Sequence, residues 1–177
     1  MKNYFISLIL GLLLSCNAKE TEVKIKISRF IDEPIIPPFL EEEIGFNING
    51  PSLIKAPAWI KSPLGKYYLY FADHKGDRIK LAFAENLKGP WKIYTGGTLQ
   101  LKDSHFLTQR PEIPEDFNVN ELGVRDAHRD HIDHIPKKID DLTYPHIASP
   151  DVHVDEINQR IVMYYHGLDE FGLQKTR

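Results

Sequence analysis

Between positions 49 and 94 the chain alternates short apolar runs with turn-forming residues, and the runs have the length and composition of β-strands. Pro51-Ser52-Leu53-Ile54-Lys55 reads as a short strand. A turn at Gly65-Lys66 leads into Tyr67-Tyr68-Leu69-Tyr70-Phe71-Ala72, an aromatic and nearly continuous run of the kind found where both faces of a strand are covered. Asp73-His74-Lys75-Gly76-Asp77 predicts a tight turn, and Arg78-Ile79-Lys80-Leu81-Ala82-Phe83-Ala84 alternates as a third strand. The loop Asn86-Leu87-Lys88-Gly89-Pro90-Trp91 precedes a fourth, Trp91-Lys92-Ile93-Tyr94. Four short antiparallel strands joined by tight turns make one β-propeller blade.

The pattern starts again after position 146. Pro150-Asp151-Val152-His153 falls beneath Pro51-Ser52-Leu53-Ile54. Arg160-Ile161-Val162-Met163-Tyr164-Tyr165-His166 falls beneath Lys66-Tyr67-Tyr68-Leu69-Tyr70-Phe71-Ala72, with the offset shifting by only a few residues. Two copies in the same order define an internal repeat of a strand–turn–strand unit. After Gly167 the stretch Leu168–Gly172 reads as a loop, and Leu173-Gln174-Lys175-Thr176-Arg177 stands where the third strand of this copy should begin. The expectation is an all-β chain of the five-bladed propeller type, incomplete, with about two blades present, and therefore a truncated fragment. Residues 95–145 are polar and read as a long irregular insertion with room for one short helix.

Residues 17–48 read as a tether and lead-in. Glu20–Ile27 alternates and predicts a short strand, Pro34, Pro37 and Pro38 then interrupt regular structure, and Glu41-Glu42-Glu43 is a solvated charge run. Residues 1–16 have the layout of an export signal: Lys2, an apolar run from Phe5 to Leu14, then Ser15-Cys16 and a polar stretch. The apolar run is too short for a comfortable membrane span. Leu13-Leu14-Ser15-Cys16 resembles the bacterial lipobox, in which the Cys is lipidated and becomes the mature N-terminus. The chain has a single Cys, and it falls at this position, so Cys16 is the candidate lipidation site. The resemblance implies a lipid-anchored protein of the cell envelope whose mature part has no disulfide. The alternative is an ordinary cleaved signal peptide.

Asn49-Gly50-Pro51-Ser52-Leu53-Ile54 followed by Tyr67-Tyr68-Leu69-Tyr70-Phe71 resembles the first blade of family 43 glycoside hydrolases and their five-bladed relatives. Ala82-Phe83-Ala84-Glu85-Asn86-Leu87-Lys88-Gly89-Pro90-Trp91 resembles a pattern these proteins share. Ala148-Ser149-Pro150-Asp151-Val152-His153, with Met163-Tyr164-Tyr165-His166-Gly167, resembles their second blade. The resemblance covers roughly residues 49–94 and 146–177. It implies hydrolysis of glycosidic bonds in plant or algal polysaccharide, in a pocket on the propeller axis. Three acids would serve there, one protonated to release the leaving oxygen and one ionised to activate water. The sequence departs from the family at one such place. The base expected just before the first-blade proline is replaced by Gly50. The other two acids belong to later blades. The function expected is thus a glycoside hydrolase-like protein at the cell envelope, inactive as this chain. The alternative is a non-catalytic carbohydrate-binding lipoprotein on the same fold.

Within this frame Asp151 is the best catalytic candidate, since it opens an inner-strand pattern. The alternative is an Asp that ties down a turn or a neighbouring blade. Asp73 is a second catalytic candidate, a substitute for the acid missing at Gly50, against the ordinary use of Asp in turns. His74, His146, His153 and His166 are candidate substrate-binding residues, able to hydrogen-bond sugar hydroxyls. The stretch Arg125–His134 holds His128, His131 and His134, but their spacing drifts around a helix and Arg125 and Arg129 would repel a cation. It is read as a solvated linker, and neither a metal nor another cofactor is expected. No G-x-S-x-G elbow, phosphate-binding P-loop or G-x-G-x-x-G is present. A net charge of -3 removes nucleic acid as a partner of first choice, and aromatics at 11% suit β-structure and sugar contact. The expected partners are a carbohydrate and, through the anchor, a membrane.

Overall fold

The computed structural model describes residues 25–29, 31–37, 40, 44–118 and 139–177. The chain forms two compact units, residues 1–32 and 33–177. In the first, the described residues carry no strand, so the strand expected at Glu20–Ile27 is absent over residues 25–27. The lipobox-like segment with Cys16, and the linker with His128, His131 and His134, lie outside the described residues. Among those residues no helix is long and apolar enough to cross a membrane.

The second unit is all-β. Strands β1 (Ile48–Lys55), β2 (Tyr67–Asp73), β3 (Arg78–Ala84) and β4 (Lys92–Ile93) follow one another across an antiparallel sheet, and β5 (Leu99–Gln100) also pairs with β3. A second antiparallel sheet runs β6 (Ile147–Asp155), β7 (Arg160–Glu170), β8 (Leu173–Thr176). Helix α1 (Ile139–Thr143) and a single 3-10 turn (Leu101–Asp103) are short additions. Neither sheet closes into a barrel among the described residues.

The internal repeat has a structural basis. In the first copy Asn49 pairs with Ala72 and Ser52 with Tyr70, so Gly50-Pro51 form a bulge. In the second, Ala148 pairs with His166 and Asp151 with Tyr164, so Ser149-Pro150 bulge at the same ladder position. A proline suits a bulge, where no ladder hydrogen bond is needed from its nitrogen. Both residues before the prolines have positive φ, 57° at Gly50 and 50° at Ser149. The two bulges abut. A Cβ on Gly50 would come within 2.3 Å of Ser149 Cα. Glycine is required there by both backbone conformation and close approach.

Alternation decides which face packs where. One face of the first sheet carries Ile54, Tyr68, Tyr70, Ala72, Ile79 and Leu81, and it packs against Ile147, Ala148 and Val152 of β6. Each buried Ile, Leu or Val among them contributes about 2 kcal/mol, and the alanines less. The opposite face, with Leu69, Phe71 and Ala82, is covered by Ile35, Ile36 and Ile44 of the lead-in. Buried Lys80 ties that cover down, its Nζ donating to the Ile44 carbonyl at 2.6 Å.

Three sequence expectations need correction. Leu168–Glu170 are not a loop but the end of β7, and Leu173–Thr176 form β8, so the second copy does have a third strand. Trp91 lies outside β4 and instead donates its indole N–H to the Leu87 carbonyl at 3.2 Å. The insertion is not irregular throughout. Its first part adds β5 to the first sheet and places Phe106, 6% exposed, in the main core. Phe106 meets Tyr165 edge-on at 5.9 Å and carries the Arg177 guanidinium 4.9 Å above its ring.

Candidate functional site

The β2–β3 turn and the start of β6 are joined by a backbone bond, from Ile147 N–H to the Gly76 carbonyl at 3.0 Å. That bond brings His146 to the turn that carries His74 and Lys75. The turn is tight, with Gly76 N–H donating to the Asp73 carbonyl at 2.9 Å and Lys75 at φ 60°. On β7, His166 stands opposite Ala148, and its ring lies 6.2 Å from that of His146. His74 acts electrostatically on both, so the three imidazoles form one cluster drawn from both sheets. Lys75 and Asp141 form an ion pair beside it.

The protons in this cluster can be placed. The Asn49 amide donates to His74 Nδ1 at 3.3 Å, so His74 carries its proton on Nε2. His146 Nδ1 faces the Tyr144 carbonyl at 2.7 Å and must donate to it, which leaves Nε2 as an acceptor. Burial holds both His146 and His166 below the ordinary imidazole pKa. Neighbouring His74 and Lys75 add to this at His146, while the Tyr144 carbonyl and Gln174 oppose it. At His166, His146 and His74 add to it. These two rings are therefore neutral near pH 7. Asn49 Oδ1 is buried and has no hydrogen-bond partner among the described residues. A buried acceptor left unsatisfied costs about 1–3 kcal/mol, so a site holding one invites a donor. The arrangement offers both hydrogen-bond donors and acceptors.

The candidates from the sequence divide. His74, His146 and His166 come together. Asp73 is turned away, since its Oδ1 accepts the Asn47 N–H at 2.8 Å and its carboxyl group packs against Gly45. Asp151 and His153 form a separate exposed pair on β6, with Oδ2 to Nε2 at 2.9 Å. Asn49 was visible in the Asn-Gly-Pro-Ser motif but not as a site residue; its place directly before the bulge is the signal for it. Among the described residues no three His, Cys, Asp or Glu are arranged to hold a metal ion. Two adjoining open clefts, of about 440 and 230 Å³, lie elsewhere around the Gly89-Pro90 loop, next to Glu85 and Asn86.

Comparison with known proteins gives one relationship to report. An alignment over 127 residues, which covers 68% of this chain and 28% of the relative, shows 32% identity to "Uncharacterized protein R118" of Acanthamoeba polyphaga mimivirus. The chain thus spans little more than a quarter of that relative's length. No family model matches the chain, and no solved structure does.

Proposed function

We propose that this chain is part of a five-bladed propeller of the glycoside hydrolase type, held at the cell envelope by a lipid on Cys16, and that its described residues supply a carbohydrate-binding site. The observation that carries the binding site is the meeting of His146 and His166, ring centres 6.2 Å apart, at the turn that carries His74, whose Nδ1 accepts from the Asn49 amide. A sugar hydroxyl donates and accepts at once. It can accept from His74 Nε2–H while giving its own proton to a neighbouring acceptor. The repeated bulged strand pairs support the propeller reading, because repeated sheets packed face to face are its construction.

Hydrolysis needs more than this. It requires one protonated and one ionised carboxyl group on opposite sides of a bond. Asp73 is engaged by the 45–47 segment, and Asp151 belongs to a different face. The described residues are therefore assigned binding, and cleavage would draw on acids beyond them.

The test is a panel of plant and algal oligosaccharides titrated by calorimetry onto the chain. Binding is expected for at least one. Asn49→Ala and His74→Ala should each weaken it about tenfold, roughly 1.4 kcal/mol. Equal affinity in both variants, or silence across the panel, would sink the reading.

A further inference from the structure

Charge is spread unevenly along the first sheet. Residues 53–67 and 83–93, which form one end of it, carry five lysines and a single acid, Glu85. One further acid reaches this end from the second sheet, where Glu156 accepts the Trp59 indole N–H at 3.0 Å. Residues 71–79, at the other end, carry two acids and two bases. The net charge of -3 for the whole chain hides this asymmetry.

The two clefts around the Gly89-Pro90 loop lie at the lysine-rich end. The larger, about 440 Å³, is bordered by Lys66 and Lys88, and the smaller, about 230 Å³, by Lys92 and Leu64. Glu85, Asn86 and Gly89 border both. The clefts therefore run together as one groove, with lysines at its ends and a carboxylate and an amide at its middle. The loop that forms it is held in place. Gly89 N–H donates to the Asn86 carbonyl at 2.8 Å, and the Trp91 indole to the Leu87 carbonyl at 3.2 Å. The turn that carries Lys66 packs against the end of β3, since a Cβ on Gly65 would come within 3.0 Å of the Ala84 carbonyl oxygen. A preformed groove lowers the ordering cost of binding.

We propose that this groove binds an acidic polysaccharide, a sugar chain bearing carboxylate or sulfate groups at intervals. The lysines at both ends take the acid groups as point charges, which suits either geometry. Between them Glu85 accepts from hydroxyls, and Asn86 both donates and accepts. Leu64, 44% exposed, offers an apolar wall to the C–H faces of a sugar ring. Other polyanions fit less well. A nucleic-acid strand carries a phosphate on every residue, and one of them would meet Glu85. A bilayer surface is flat, and its headgroups do not fill a cleft. The seven residues of β2, about 23 Å of strand, separate Lys66 from His74. The groove is thus a second site, and the proposal does not rest on sugar binding by the imidazole cluster.

The experiment titrates the full chain at low salt, by calorimetry, with oligogalacturonate, dextran sulfate and uncharged dextran of matched length. At least one of the acidic chains should bind, and dextran should not. Lys66→Gln combined with Lys92→Gln should weaken binding about tenfold. Lys102→Gln, in the 3-10 turn at the opposite end of the sheet, should leave it unchanged. Glu85→Ala separates the proposal from plain charge attraction. Where Glu85 holds hydroxyls, its loss weakens binding; where the lysines only attract a polyanion, removing a carboxylate strengthens it. All these side chains are exposed, and an unchanged melting midpoint verifies that each variant is folded. Silence with both acidic chains overturns the proposal. So does unchanged binding in the double lysine variant, or unchanged or tighter binding in Glu85→Ala. Equal or tighter binding of a single-stranded oligonucleotide of matched charge, or of phosphatidylglycerol vesicles, overturns it as well.

Discussion

Gly50 shows how much a single position can decide. From the sequence it stands out because an acid is expected there, and nothing in the sequence says why glycine is present. The structure supplies the reason: a φ of 57° and a neighbouring backbone that leaves no room for a Cβ. Gly50→Ala should therefore cost about 3 kcal/mol, from left-handed backbone strain together with overpacking against Ser149. Gly50→Asp, which places the acid that the resemblance implies, should cost at least as much and bring no hydrolysis. Urea denaturation with a glycosidase assay on each variant checks both, and a stable Gly50→Asp chain would contradict the packing described. His74, His146 and His166 were each legible as polar groups flanking the repeats. Their meeting was not, because His74 and His146 are joined by a turn-to-strand backbone bond between distant parts of the chain.

At the scale of elements, strands with period-two patterning were readable, and β1, β2 and β3 fall within a few residues of where alternation places them. The failures share a cause. Leu168–Glu170 resembled a loop because Gly167 and Asp169 are turn-type residues. Yet Gly167 is buried in a strand, where Phe106 and the His146 carbonyl occupy the space a side chain would take. Phe106 itself was lost in a polar stretch with no periodicity, since one apolar anchor between loops leaves no pattern to read. Its worth is in packing: Phe106→Ala should destabilise by about 3–4 kcal/mol in urea unfolding, with a loss at the low end only if Tyr165 can collapse into the gap. A cost below 1 kcal/mol would show that the 99–118 segment is not part of the core.

For the molecule as a whole, acid is the expected weakness. His146 and His166 have folded-state pKa values below the ordinary 6.5, so the unfolded chain takes up protons more readily. Stability is then full above that value and declines as pH falls through it toward the folded values. The carboxylates act in a different window. Hydrogen bonds from the Asn158 side chain and backbone, and from Arg160, hold Asp155 at about 2, so its contribution is lost only below the ordinary 3.8. Urea midpoints measured at pH 7.5, 6.0 and 5.0 should therefore fall, and His166→Asn should flatten the decline. A midpoint constant over this range would mean the imidazoles are not held neutral.

The lead-in has a further consequence. By lying over β1–β3 and being tied through Lys80, it seals one side of the stack of sheets. Among the described residues the stack is therefore two-sided: one outer face is shut by the chain's own lead-in, and the other, with Tyr164 half exposed, is left to the strands themselves.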